Sequence, residues 1–305
     1  MTHGYSWITA AELARSLDLP LHLICHDEWA RAGAMQAWKD RVFGERYRRA
    51  ASRLCVSPFM AREYARRYGA DGLVLYPSRA VDAVYYDEPP ARLGADTGSF
   101  TCVFAGTINS GGAVMALQQL ARCLEPLRGR LLLYGPLTAE VARASGLTAS
   151  NIDLGGLLSS AQLMETLRER ADALFVPMSF AAADRNNMQF SFPSKLTDYT
   201  AIGLPLLIYG PPCCSAVQWA AANDGVAEVV TQESEDALAA AIYRLARDPQ
   251  RRMTLARNAL AAGEAYFSHH AASEVFYKGL AGLGATTANA RCDAQSSGKQ
   301  ATARA

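Results

Sequence analysis

What this chain can fold into is set above all by an alternation. Apolar runs of four to six residues are separated by longer stretches whose apolar and polar residues mix with helical periodicity. The runs at 21–25, 54–57, 72–76, 100–105, 130–134, 151–154, 173–176, 204–209 and 226–230 read as strands. The stretch 28–51 reads as mainly helical, and Ser57-Pro58 opens a helix that Gly69 ends, because serine caps and proline suits a first turn. Further helices are expected at 111–124, 137–145, 160–170, 194–202, 215–223, 235–247, 249–265 and 269–283. Crossovers this short between strands require parallel pairing with helices on both faces, which is the doubly wound α/β class.

The segment 81–99 breaks this rhythm with Asp87-Glu88-Pro89-Pro90 and then Gly94, Asp96, Thr97 and Gly98, and reads as a linker. The expected division is 1–80 for an N-terminal domain, 100–267 for a complete doubly wound domain, 268–284 for a C-terminal helix packing back on the N-terminal part, and 285–305 for a disordered tail.

Composition narrows the partners. With 30 Lys+Arg against 29 Asp+Glu, the net charge of +1 calls for neither nucleic acid nor an acidic surface. The seven cysteines lack zinc or redox spacing and mostly sit in apolar runs, so they are read as reduced thiols of a cytoplasmic protein. A redox role at the vicinal Cys213 and Cys214 is the minor alternative. No run approaches the roughly 20 apolar residues of a membrane span, and no secretion signal opens the chain.

The segment F-P-S-K-L-T-D-Y-T-A-I-G-L-P-L-L-I-Y-G at 192–210 resembles the donor-binding signature of family 4 glycosyltransferases, whose GT-B architecture faces two Rossmann-like domains across a cleft. Three further segments agree in order: S-R-L-C-V-S-P-F-M-A-R-E-Y, V-F-A-G-T-I and R-A-D-A-L-F-V-P. The resemblance implies a GT-B-like α/β fold, with one complete doubly wound Rossmann-like domain and a partial N-terminal one. It also implies transfer of a hexose, with retention, from a nucleoside-diphosphate sugar to a glycan, lipid or small-molecule acceptor in polysaccharide or glycoconjugate synthesis.

The chemistry gives the signature a physical sense. A departing nucleoside diphosphate needs positive charge, and a helix start at Pro193-Ser194-Lys195 offers free amides as well as the Lys195 ammonium. Asp198 falls on the same helical face and matches the second Glu of the family's paired motif, assigned by the resemblance to the ribose hydroxyls. A plain reading, an acidic residue favouring the helix dipole, stands beside it. At the first Glu position stands Phe190, leaving Asp184, Asn186 or Asn187 to face the hexose. The family's basic pair after the first donor-domain strand is replaced by G-T-I-N-S-G-G. There Gly106, Thr107, Asn109, Gly111 and Gly112 offer only close backbone approach, with Arg185 as a further source of charge.

Gly135, and then Gly155-Gly156 with Leu157 and Leu158, follow the next two strands, where ligands meet an open α/β sheet; Leu157 and Leu158 are expected at the base. His26, in C-H-D-E-W, sits where family members carry a His near the hexose or acceptor, and ordinary capping by Asp27 is the equal alternative. No metal or other cofactor is expected, since Lys195 and the helix start supply the charge. Arg41, Arg46, Arg48, Arg49 and Arg53 form either a solvated helix face or a contact with an anionic acceptor or the inner membrane face. About 55 residues precede the crossing between domains, where a full acceptor domain needs more than about 100. A misassigned start, a partner chain completing the domain and a degenerate remnant are all compatible with this. A catalytically silent or partner-dependent binding module is the alternative function, with a sugar-nucleotide epimerase behind it.

Overall fold

The computed structural model describes residues 6–28, 35–95, 98–108 and 110–282. They divide into two compact units, one of residues 1–76 with those from 272 on, the other of residues 77–271.

In the first unit, β1 (His22–Cys25), β2 (Ser52–Cys55) and β3 (Leu73–Val74) pair in parallel in that order. Helices α1 (Ser6–Ser16), α2 (Gln36–Arg49) and α3 (Pro58–Tyr68) accompany them. The Ser57 hydroxyl accepts from the Met60 amide at 3.1 Å, and Gly69 closes α3 in the left-handed region, so the start and stop signals read in the sequence both operate. Phe43 and Tyr47 of α2 meet Tyr64 and Tyr68 of α3 with ring centroids 5.3–5.7 Å apart. Together with the buried Leu54, Cys55 and Met60, this aromatic cluster forms part of the core of the unit.

The arginines interleaved with those rings are largely committed to structure. Arg53 Nη1 donates to the carbonyls of Tyr47, Arg48 and Ala50, closing the end of α2, and Arg46 pairs with Glu12 and Glu45. Arg49 pairs with Glu45 as well.

The second unit is built on six parallel strands: β4 (Thr101–Ala105), β5 (Arg130–Tyr134), β6 (Ile152–Gly156), β7 (Ala173–Pro177), β8 (Leu206–Tyr209) and β9 (Ala227–Val230). Their spatial order is β6-β5-β4-β7-β8-β9. The chain thus starts in the middle, works outward to one edge, and returns to build the other half. β4 and β7 are the neighbours at which the direction reverses. One face of the sheet is covered by α4 (Gly111–Leu124) and α10 (Glu235–Arg247), whose Leu117, Leu120, Leu238 and Ile242 are fully buried with Phe104, Leu131, Phe175 and Leu207. Remaining helices are α5 (Ala139–Ala144), α6 (Ser160–Arg170), α7 (Arg185–Phe190), α8 (Lys195–Tyr199), α9 (Ser215–Ala222) and α11 (Pro249–Phe267). Phe192, Trp219 of α9 and Phe267 of α11 form a second apolar nucleus, with centroids 5.6–6.2 Å apart. Strands covered on both faces explain why β7 and β8 read as unbroken apolar runs. Residues 269–282 are helical.

Two expectations meet a different arrangement, and two helices lie where none is expected. The stretch read as a linker belongs to the second unit and is held to it. Arg92 Nη1 reaches Asp172 at 2.9 Å, and the buried Arg252 guanidinium donates to the carbonyls of Leu93 and Ala95. The helix expected over 194–202 is only five residues long, because the Thr200 hydroxyl bonds back to the Leu196 carbonyl and Ile202 closes a tight turn on Tyr199. The helices α1 and α7 were not anticipated.

Candidate functional site

In an open parallel sheet, ligands meet the carboxyl ends of the strands where the strand order reverses. Here that point is the gap between β4 and β7, and the residues leaving β4 are Gly106 and Thr107, both exposed. Gly106 has φ of +136°, a conformation costly for any other residue, and the Lys195 side chain lies 3.8 Å from where a Cβ would stand. Gly135, leaving β5 with φ of +140°, is forced from the other side, since a Cβ there would come within 2.5 Å of the Gly106 carbonyl. The two loops are stitched: the Gly106 amide donates to Tyr134 O at 2.9 Å, and the Gly135 amide to Gly156 O at 2.9 Å. Leu157 follows just beyond the end of β6 and is 77% exposed, with Leu158 half-buried beside it.

Lys195 reaches this point from α8. Its Nζ sits 4.7 Å from the centre of the Phe104 ring, and burial pulls the ammonium below the usual lysine pKa. Among the described residues it makes no ion pair. A partly dehydrated ammonium with only a ring face for company is poorly compensated, and an anion arriving at Gly106 would correct that.

The amides at the start of α8 are less available than the sequence suggests. Leu196 donates to Pro193 O at 3.1 Å and Thr197 to Ser194 O at 3.0 Å, and a helix this short has little macrodipole. The positive charge at this corner therefore comes mainly from Lys195. Ser194 is exposed and its hydroxyl caps nothing, while Pro193 is half-buried.

Asp198 stands at the surface. Loss of hydration raises its carboxyl above the ordinary aspartate range, and the charge of Arg79 acts in the opposite direction. Arg79 itself is buried, with Nη2 3.4 Å from Glu264.

Sequence reasoning missed Tyr199. Its phenol accepts from the Ala105 amide at 2.7 Å and donates to the Ala105 carbonyl at 3.2 Å, pinning α8 to the last residue of β4. No local signal marks it, because a buried tyrosine on a helix is ordinary and its partner lies 94 residues away.

Other expected residues are placed as follows. Gly111 opens α4, whose first turn is capped by the Ser110 hydroxyl accepting from Ala113 at 3.2 Å. Asn109 lies outside the described residues. Phe190 is buried at 7% exposure, so no carboxylate stands at that position, and Asn187 is engaged by the Ser191 hydroxyl at 2.6 Å. Asp184 and Arg185 lie where the turn 182–184 runs into α7, Arg185 exposed. His26 is exposed just beyond the carboxyl end of β1, in the first unit, next to Glu28, whose carboxylate is held by Arg67 at 3.0 and 3.2 Å. The vicinal Cys214 is buried, which pushes its thiol up to about 11. Among the described residues no three His, Cys, Asp or Glu side chains gather as a metal site, and no helix is long and apolar enough to cross a membrane.

No family model matches this sequence, and neither does any curated protein. Among solved structures the chain is similar to Anabaena HepE in complex with UDP, with a TM-score of 0.69 at 17% identity over 90% of this chain and 76% of that one. The fold is GT-B-like. Sucrose-phosphate synthase from Thermosynechococcus elongatus gives a TM-score of 0.67 at 16% identity, covering 92% of this chain and 72% of its own. The α,α-trehalose 6-phosphate synthase of Burkholderia multivorans gives 0.67 at 15% identity, with coverages of 94% and 71%. At this level of identity the GT-B-like likeness is one of fold.

Proposed function

We propose that this chain is a glycosyltransferase that moves a hexose from a nucleoside-diphosphate sugar to a glycan, lipid or small-molecule acceptor, with retention, in cytoplasmic polysaccharide or glycoconjugate synthesis. The observation that carries the reading is Lys195: a half-buried, poorly hydrated ammonium without an ionic partner among the described residues, beside the conformationally special Gly106, at the reversal point of a doubly wound sheet. A diphosphate placed there would complete the ammonium's electrostatics, and the same charge would stabilise the departing nucleoside diphosphate as the glycosidic bond breaks. The reading assigns Asp198 to the ribose diol, Gly106, Thr107, Gly111 and Gly135 to backbone approach, Leu157 and Leu158 to the base, and His26 to the hexose or acceptor. It calls for no metal. That Anabaena HepE is described with UDP, with UDP and glucose, and with UDP-glucose supports the choice of donor class.

Calorimetry with UDP-glucose and GDP-mannose, on the wild type and on Lys195→Ala, tests the reading. Binding that Lys195→Ala weakens at least tenfold supports it, and no binding of either donor rejects it. Binding without hydrolysis or transfer would favour the second reading, a silent or partner-dependent module. Burial of Phe190 where a sugar-facing carboxylate is expected supports that alternative.

A further inference from the structure

Away from Lys195, the first turns of α4 and the loop leaving β7 enclose a second hollow of about 250 Å³, at the carboxyl ends of β7, β8 and β9. Its volume lies just below the roughly 300–1,000 Å³ of drug-sized sites, which suits one ring better than a sugar nucleotide. The walls are held in place. Ser179 is buried against Gly112, where a Cβ would strike its hydroxyl at 2.3 Å, and the Ala181 amide donates to that hydroxyl at 3.2 Å. Phe180, between them, is half-buried and tilted 57° against Tyr209 at a centroid distance of 4.9 Å.

The polar groups of the hollow are specific in what they leave over. The Tyr209 phenol donates to Gln119 Oε1 at 3.0 Å, which fixes the amide and leaves its NH2 group as a donor with no partner among the described residues. Glu233 is exposed at the rim and forms no ion pair among the described residues. Burial, and then the Glu233 charge, push the Tyr209 phenol up, in keeping with a carboxylate that faces it. Met115, 53% exposed, adds apolar surface.

A ligand meeting all of these must present an apolar face to Phe180 and Met115, accept from an amide NH2, and donate to a carboxylate. An anion is repelled by Glu233, and a simple cation has nothing to offer Gln119. A ring carrying hydroxyls at its edge and C–H bonds on its face meets every requirement. We propose that this hollow binds a single uncharged pyranose ring, stacked on Phe180 and hydrogen-bonded by Gln119 and Glu233. The site stands independently of the transferase reading, since it uses neither Lys195 nor a nucleotide.

Saturation-transfer NMR on the full chain, without nucleotide, with methyl β-D-glucopyranoside, methyl β-D-galactopyranoside and methyl α-D-mannopyranoside, tests it. Transfer to the ring protons of at least one glycoside is expected, with Kd raised about tenfold or more in Glu233→Ala, since hydrogen bonds to a charged group are worth that much. Glu233 is exposed, so that variant should fold whether or not a change at Phe180 does; Phe180→Leu, which keeps apolar bulk, should also weaken binding. No transfer from any of the three, or equal transfer in wild type, Glu233→Ala and Phe180→Leu, overturns the proposal. Displacement of a bound glycoside by tetramethylammonium would overturn it in favour of a cation site.

Discussion

The Tyr199 phenol takes up both the amide and the carbonyl of Ala105, at 2.7 and 3.2 Å, in a fully buried contact. This single hydroxyl sets α8 against the end of β4, and with it the distance from Lys195 to Gly106. Tyr199→Phe keeps the ring but leaves a buried amide unpaired, at a cost of about 1–3 kcal/mol. A lowered Tm and a weakened affinity for UDP are expected together. If melting falls while UDP affinity holds, the contact matters for stability alone and has no part in placing Lys195.

Lys195→Met should separate stability from binding. The folded state lowers the pKa of this lysine, so between the folded value and the unfolded one the unfolded chain holds more protons, and stability rises with pH across that window. Below the window the full penalty for dehydrating the charge is present. Removing the ammonium should therefore raise Tm below that window and flatten the rise across it, while UDP affinity drops at least tenfold. Wild-type affinity for UDP should itself weaken as pH climbs through the folded value. Thermal melts and calorimetry across pH check both signs, and a destabilised Lys195→Met would contradict the account.

The parallel sheet was legible because strands buried on both faces write themselves as apolar runs, as Leu131–Leu133 and Leu206–Ile208 do. Helix α1 was not, since only Trp7 and Ala11 of its eleven residues are buried and the remaining face carries no apolar period. In α8 the lysine and leucine that open the segment suggest a longer helix, while the hydroxyls of Thr197 and Thr200 divert to backbone carbonyls and shorten it. The corner of Gly106 and Lys195 was readable from the glycine after a strand and the lysine after F-P-S. What fixes that corner, Tyr199 on Ala105 and Phe104 beneath the ammonium, depends on pairs more than 90 residues apart, which no local pattern records.

Asp198→Ala tests the ribose assignment by its selectivity. A carboxylate accepting from a ribose hydroxyl contributes about 1.5–3 kcal/mol, so wild type should prefer UDP to 2′-deoxy-UDP by tenfold or more. The variant should bind both equally, near the weaker value. Because the folded state raises this carboxyl, the native protein holds the extra proton just above the ordinary aspartate range, and stability falls as pH rises through that window. Asp198→Ala should abolish that decline in acid melts. An unchanged preference for UDP would move the ribose contact elsewhere.

Gly135→Ala tests whether the stitched loops form one unit with the site. At φ of +140° any side chain is strained, and the new Cβ would press on the Gly106 carbonyl at 2.5 Å, a backbone atom that cannot swing aside. Relief requires the Gly106 loop to move off the end of β4, carrying it away from the Lys195 amine. Stability should fall by about 1–3 kcal/mol, and UDP affinity should fall with it although residue 135 carries no charge. A second change supplies the control: Gly94→Ala, in a short helical turn where a Cβ meets nothing within 4 Å, should leave both quantities near wild type. Equal UDP affinity in wild type and Gly135→Ala, measured well below the Tm of each, would show that the loop after β5 can shift without disturbing the proposed contact of UDP with Lys195 and Gly106.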